Sequence, residues 1–283
     1  DLPTGCRLFG DEQYLVVHPP GAPAAEVYRV ADGELLGSRE IPESQQLLTT
    51  LGRRLITWNL VESELVLSAR DLWTEESLWT HAFGKDARIT LVDQDEATVL
   101  EPDGKLVTID LVDGRILMSS QLPPHQDLQQ VLVMRGEQDD IVIANEPRVP
   151  QPDSVRVQPI PTHAAVLNGT IAAIERSTGR VRWAVPVSQQ GIDIKQPAGL
   201  PVLVLAAQII TPPAPGKPYR PKYAVTCLDK QTGKVVYEHE GNEAFFNVEA
   251  MADPEHHRLQ LQLFKSTLTL TFTDDTKPES EPE

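Results

Sequence analysis

Apolar and polar residues alternate along this chain in short runs, and each run ends in a polar or glycine-bearing turn, the pattern of half-buried strands. Residues 107–118, VTIDLVDGRILM, read as two such runs joined at Gly114. AAIERSTGRVRW at 172–183 and TCLDKQTGKVVY at 226–237 place Gly179 and Gly233 in the same column. EVYRVADGELLG at 26–37 and SARDLWTEESLW at 68–79 are weaker copies, with Gly33 and Glu75 at the turn. Glycine accepts the positive φ that tight hairpin turns require, so each copy predicts a hairpin. Four positions before the turn stand Arg29, Asp71, Asp110, Glu175 and Asp229; four after it stand Gly37, Trp79, Met118, Trp183 and Tyr237.

A second strand pair precedes most of these hairpins. Residues 6–9 and 14–17 flank a polar turn, as do 88–92 and 97–100, 130–134 and 141–144, and 247–251 and 259–263. Each copy therefore reads as strands A-B-C-D, with a polar A–B turn and the glycine turn between C and D. The turn-to-turn spacings are 42, 39, 65 and 54 residues. With insertions allowed, they match the roughly 40–45-residue blade of a β-propeller. A β-sandwich has no reason to repeat an aromatic four residues beyond the turn glycine, and a competing helical pattern is almost absent. The expected fold is all-β: a β-propeller of four-stranded antiparallel blades, six of them visible. The blades fall near 4–42, 47–84, 88–123, 129–187, 192–240 and 246–275, within a propeller domain at 1–275, and 276–283 is expected to be a disordered acidic tail.

The copy at 173–183, AIERSTGRVRW, resembles the A-x-D-x-x-T-G-x-x-x-W docking motif of the pyrroloquinoline-quinone (PQQ) repeat propellers, departing only at Glu175. CLDKQTG at 227–233 keeps the Asp and the Thr-Gly, with Tyr237 in place of Trp. The resemblance covers the whole chain in pattern and is strict in these two copies. It implies that Trp79, Trp183 and Tyr237 pack between blades as structural docking groups, with Gly114, Gly179 and Gly233 at the turns; buried aromatic area supplies such cohesion. Rings in this family commonly have eight blades. The sixth copy shows A, B and C (267–273) and then an acidic tail without a D strand. An open ring leaves an unpaired edge. The expectation is a seven- or eight-bladed ring in which sequence upstream of Asp1 supplies a strand or up to two blades, and with it any targeting segment.

Composition narrows the function. The formal net charge of −16 disfavours nucleic acid and anionic membrane surfaces as partners. No apolar run approaches the roughly 18 residues of a membrane-spanning helix; the longest, at 200–210, is interrupted by Pro201 and Gln208 and reads as a buried strand. Cys6 and Cys227 are the only cysteines and read as idle thiols. Asp253, Glu255, His256 and His257 lie together on an A–B turn, but adjacent residues of a strand point to opposite faces, so the cluster reads as a solvated turn. Asp93, Asp95 and Glu96 read as a polar turn, lacking the glycine and distal Glu of a calcium loop. The triplet Asn168-Gly169-Thr170 is a glycosylation sequon, relevant only in a eukaryotic secretory setting.

Two long Pro-rich insertions, 146–169 and 211–222, separate strands B and C of the fourth and fifth copies. Strand alternation puts all B–C loops on one face. The second carries Lys217, Tyr219, Arg220 and Lys222 without an acid, and the first adds Arg148, Arg156 and His163. This positive patch suits an acidic protein partner; the same residues also fit two solvated surface loops. No catalytic motif stands out, and neither a cofactor nor a metal is expected. The chain resembles the non-enzymatic branch that includes the propeller lipoprotein of the outer-membrane β-barrel assembly machinery. That implies a periplasmic or otherwise extracytoplasmic scaffold for protein–protein interaction. A PQQ- and calcium-dependent dehydrogenase is one alternative, although its adjacent cysteines, Asp base and calcium ligands find no match here. A glycan- or small-molecule-binding propeller is the other, with Tyr219 as its exposed aromatic.

Overall fold

The computed structural model describes residues 4–40, 45–147, 156–158, 164–194, 196, 199–210, 222–242, 250–253, 258–262 and 267–271. Among them every regular element is a strand. The first copy forms the sheet β1 (Arg7–Gly10), β2 (Tyr14–His18), β3 (Ala24–Arg29) and β4 (Leu35–Glu40), in that order and antiparallel throughout. The second repeats it with β5 (Gln45–Leu51), β6 (Arg54–Val61), β7 (Glu64–Asp71) and β8 (Ser77–Gly84). The third does so with β9 (Arg88–Leu91), β10 (Glu96–Leu100), β11 (Lys105–Asp110) and β12 (Ile116–Gln121). These are the predicted A-B-C-D meanders.

The fourth and fifth copies depart from that plan. β13 (Gln130–Arg135), β14 (Asp139–Asn145), β16 (Ala164–Glu175), β17 (Val181–Asp193), β18 (Val202–Ile210), β19 (Lys222–Asp229) and β20 (Val235–Gly241) form one sheet in chain order, with β15 (Arg156–Gln158) paired to β18. The 13-residue β17 runs through the expected boundary between residues 187 and 192. The sixth copy contributes β21 (Ala250–Asp253), β22 (Arg258–Gln262) and β23 (Thr267–Thr271), a three-stranded sheet among the described residues. Residues 276–283 lie outside the described residues.

By its contacts the chain divides into two units, Asp1–Val133 with Arg176–Arg180, and Met134–Glu175 with Val181–Glu283. In the first unit consecutive sheets stack face to face. Ile56, Leu65, Leu67 and Ala69 of the second copy form one cluster with Ala97, Val99, Val107 and Ile109 of the third, while Val16, Ala25 and Val27 of the first meet Leu72 and Trp73 of the second. At the centre of two sheets a cross-strand hydroxyl pair replaces apolar contact: Thr57 with Ser68 at 3.2 Å and Thr98 with Thr108 at 3.0 Å. Each hydroxyl is buried and each pair is satisfied, so the polarity costs little. In the second unit Leu200, Val202, Val204, Tyr223, Val225, Cys227 and Leu259 form the corresponding core.

The C–D turns explain the columns seen in the sequence. The turn N–H donates to the carbonyl four residues earlier in four copies: Gly33 to Arg29, Glu75 to Asp71, Gly114 to Asp110 and Gly233 to Asp229. Where that earlier residue is Asp, its carboxylate also caps the turn. Asp71 accepts from the N–H groups of Trp73 and Thr74, Asp110 from Val112, and Asp229 from Gln231 and Thr232. The turn residue adopts positive φ every time: +73° at Gly33, +60° at Glu75, +76° at Gly114, +73° at Gly179 and +70° at Gly233.

Each turn also rests on its neighbour. A Cβ at Gly114 would stand 2.5 Å from Cγ of Trp79, the residue four past the turn in the preceding copy. A Cβ at Gly233 would stand 2.6 Å from Cδ2 of Trp183, again the preceding copy's residue. At Gly179 it would overlap the Ser119 carbonyl oxygen and lie 3.2 Å from Cγ of Met118. Trp183 Nε1 also donates to the Lys230 carbonyl at 2.9 Å, tying the ring to the turn that covers it. Between the first two copies the parts are exchanged. The fourth position after the turn is Gly37, and Trp73 on the next turn lays its ring there, with the Arg39 guanidinium 4.6 Å from the ring centroid. Tyr237 packs against the core of the second unit beside His239.

Two predictions follow from this geometry. Gly33 has nearly the same φ as Gly114, but a Cβ there meets no described atom within 4 Å. Gly33→Ala is expected to cost about 1 kcal/mol, the left-handed strain alone. Gly114→Ala adds overlap with Trp79 and is expected to cost about 2–4 kcal/mol. Urea unfolding of both proteins checks the difference, and equal losses would show that the ring contact contributes nothing. The second prediction concerns acid. The N–H groups of Thr74 and Trp73, with Arg53 adding to them, hold the Asp71 carboxyl down at about 2 against an ordinary 3.8. A group depressed on folding contributes stability above its unfolded pKa and loses it as pH falls through the folded value. Asp71→Asn should therefore be less stable than wild type at pH 7, and the gap should close between pH 3.8 and about 2, as followed by melting temperature against pH.

Candidate interaction surface

The surface proposed from sequence lies at the B–C end of the fourth and fifth copies. Arg148, His163, Lys217, Tyr219 and Arg220 fall outside the described residues. Arg156 and Lys222 do not. Arg156 opens β15 and is the register partner of Ile210, while Lys222 opens β19 and is the partner of Ile209. The end of β18 thus has Arg156 on one flank and Lys222 on the other, so the two insertions converge on one strand end. Lys222 is exposed.

The first insertion differs from its expected form. Residues 146–169 were expected as one loop, but β16 begins at Ala164 and the loop holds β15. The reason is a paired arm. β14 ends opposite Gly169, and beyond it residues 164–168 pair with β17 alone, at Ser188 and Gln190 to Asp193. An asparagine network holds the base of this arm, where the ladder shifts register between Leu167 and Asn168. Asn145 Oδ1 accepts the Asn168 N–H at 2.8 Å and its Nδ2 donates to the Val166 carbonyl at 3.2 Å. Asn168 Oδ1 in turn accepts the Gln189 N–H at 3.0 Å, at a residue with φ of +53°. Asn168 is 4% exposed, so the sequon asparagine is a buried strut of the fold.

The arm then leads into the next copy. Ile192 pairs with Leu205, and beyond that single rung a side chain continues the ladder. Gln196 donates from Nε2 to the Val204 carbonyl at 3.2 Å and accepts the Val204 N–H at Oε1 at 2.8 Å. A buried primary amide presents a donor and an acceptor side by side, as a paired strand does. Neither Gln196 nor Asn145 was singled out from sequence, since side-chain bonds to backbone leave no periodic trace. Burial also acts on two further groups of this unit, lowering Lys230 to about 8 and raising the Cys227 thiol to about 11. Cys227 and the half-buried Cys6 are both free thiols.

Among the described residues no group of three or more His, Cys, Asp or Glu side chains converges as metal ligands. Residues 254–257, which carry Glu255, His256 and His257, are outside the described set. No helix of the described residues is long and apolar enough to cross a membrane.

The repeated four-stranded antiparallel sheet, with its turn docked on the preceding copy, defines a propeller of the PQQ-repeat class. A family model described as outer membrane protein assembly factor BamB matches residues 26–204, and the chain belongs to that family. Among solved structures, BamB from Moraxella catarrhalis is similar at 15% identity, covering 92% of this chain and 70% of that one, with a TM-score of 0.40. Hydrazine synthase from Kuenenia stuttgartiensis is similar at 16% identity, covering 93% and 74%, with a TM-score of 0.42. No curated protein matches the chain in sequence.

The asparagine network makes a local prediction. Asn145→Ala removes two hydrogen bonds at the base of the arm, each worth about 1 kcal/mol. Amide exchange at residues 165–168 and 190–192 is expected to quicken about tenfold or more, while β19 and β20 stay protected. Uniform quickening across the unit would show instead that the network supports the whole sheet.

Proposed function

We propose that this chain is a non-catalytic scaffold of the cell envelope that holds a protein partner, acidic where it touches, at the B–C end of the fourth and fifth copies. The observation that carries the reading is the family match across residues 26–204, since the family is described by an assembly factor of the outer membrane. Two features support the location. Arg156 and Lys222 flank one strand end, and the basic segment with Lys217, Tyr219 and Arg220 joins β18 to β19. A concentrated positive patch on a chain of net charge −16 steers an acidic surface to that edge and away from the rest of the molecule. The Pro-rich composition of both insertions lowers the entropy lost when such loops are ordered by a partner.

The test compares capture from a native envelope extract by wild type and by Lys217→Glu/Arg220→Glu/Lys222→Glu, with retained proteins identified by mass spectrometry. A partner held by wild type and reduced about tenfold or more in the variant is expected from three charge reversals at one contact. Equal retention by both proteins, or none by either, overturns the location. Dye reduction that requires added quinone and calcium would overturn the non-catalytic assignment.

A further inference from the structure

The first unit holds a polar cleft, far in sequence from the insertions. Its lining comes from around the A–B turns of the first two copies and the C–D turn of the second: Gln13, Leu51, Gly52, Arg53, Arg54, Asp71 and Leu78. The cleft encloses about 470 Å³, within the size range of ligand sites. Its charges are unequally matched. Arg53 is committed to Asp71, at 2.9 Å. Asp71 in turn is occupied by the Trp73 and Thr74 N–H groups, and Asp11 by the N–H groups of Gln13, Tyr14 and Gly52. Arg54 stands opposite Asp71 in the β6–β7 register, yet its side chain makes no hydrogen bond or ion pair among the described residues, and its Nε is fully buried. The buried Nε is closed to a ligand, but the two terminal guanidinium nitrogens are not among the buried atoms, and a planar carboxylate in bidentate geometry suits them best. Leu78, in the lining of the same cleft, is 44% exposed and adds apolar wall.

We propose that this cleft binds a short acidic peptide segment of a protein partner, its carboxylate on Arg54 and a neighbouring apolar side chain against Leu78 and Leu51. The inference rests on the scaffold reading for the source of the peptide and assigns a second contact within the first unit. Arg53, held by Asp71, keeps the second cation in place, and Gln13 offers an amide to the peptide backbone. A peptide rather than a free acid is the occupant because the cleft pairs one uncompensated cation with apolar wall, a combination a small hydrophilic anion leaves unused.

The probe is an N-terminally fluorescein-labelled hexapeptide alternating leucine and glutamate, compared with the glutamine version amidated at its C-terminus. Fluorescence anisotropy in about 50 mM salt should show the acidic peptide binding wild type at least about fivefold more tightly than the neutral one, with the preference falling in about 500 mM salt. Arg54→Gln should lose that preference, and Arg54→Lys should regain part of it. In wild type, amide NMR shifts on titration should centre on Gln13, Gly52 and Arg54, a readout independent of whether any variant folds. Equal binding of the two peptides, an undiminished preference in Arg54→Gln, shifts centred elsewhere, or competition by free glutamate at the same concentration would each overturn the proposal. If capture of a partner is lost on reversing the insertion charges while the peptide ignores Arg54, the scaffold reading stands and this cleft falls. The reverse result leaves the cleft and removes the insertion contact.

Discussion

A C–D turn laid across the side chain four residues past the turn of the preceding copy is the contact through which these sheets stack. It asks for two things at once: a ring or long side chain on one sheet, and a Cα without Cβ pressed on it from the next. Gly114 on Trp79 and Gly233 on Trp183 meet both demands with glycine at positive φ, and Gly179 meets them on Met118. The exchange at Gly37 and Trp73 shows that what is preserved is the complementarity rather than the residue. When the receiving position is glycine, the turn supplies the ring and no longer needs to be glycine itself. Glu75 then takes the positive φ, held by the Asp71 cap and the bond to the Asp71 carbonyl.

This constraint explains why the repeat was readable. A turn fixed by backbone bonds at −4 and by an Asp cap leaves a column of Asp and Gly, and the docking ring leaves a column at +4. Those two columns locate β3–β4, β7–β8, β11–β12, β16–β17 and β19–β20 by their turns. The Trp73 exchange was missed because the ring had moved across the interface into the turn of the weakest copy. Its signal was nevertheless present: the only glycine in the +4 column, followed by a tryptophan in the next turn. The fused sheet was hidden for another reason. Strand pairing in the fourth and fifth copies is completed by the Gln196 side chain and by β15, three residues inside a Pro-rich stretch, and neither has a period to detect.

The residues proposed for interaction were less legible than the fold. Charge clustering in the insertions pointed to Arg156 and Lys222, and the ladder places their backbones on either side of one strand end. Arg53 and Arg54 carried no comparable signal. In sequence they are two cations in an A–B turn, followed by ordinary strand. Their difference appears only when Asp71, remote in sequence, is seen to be shared among Arg53 and two backbone N–H groups.

That sharing couples architecture to recognition. Asp71 caps the turn that carries Trp73, and Trp73 docks the second sheet on the first. Oδ1 of the same carboxylate is taken by the turn and Oδ2 by Arg53, and the guanidinium opposite it in register makes no ion pair with it. A repeat protein builds each turn from similar parts, and an uncompensated charge arises where one cap serves two neighbours. The Asp110 and Asp229 turns have no arginine at the position corresponding to Arg54: the register partners of Asp110 and Asp229 are Glu96 and Val202. Arg54 is therefore a departure specific to the second copy. It lies beside the interface where, among the described residues, ring and glycine have exchanged places, so the copy that departs from the docking pattern also carries the side chain on which the proposed peptide contact depends.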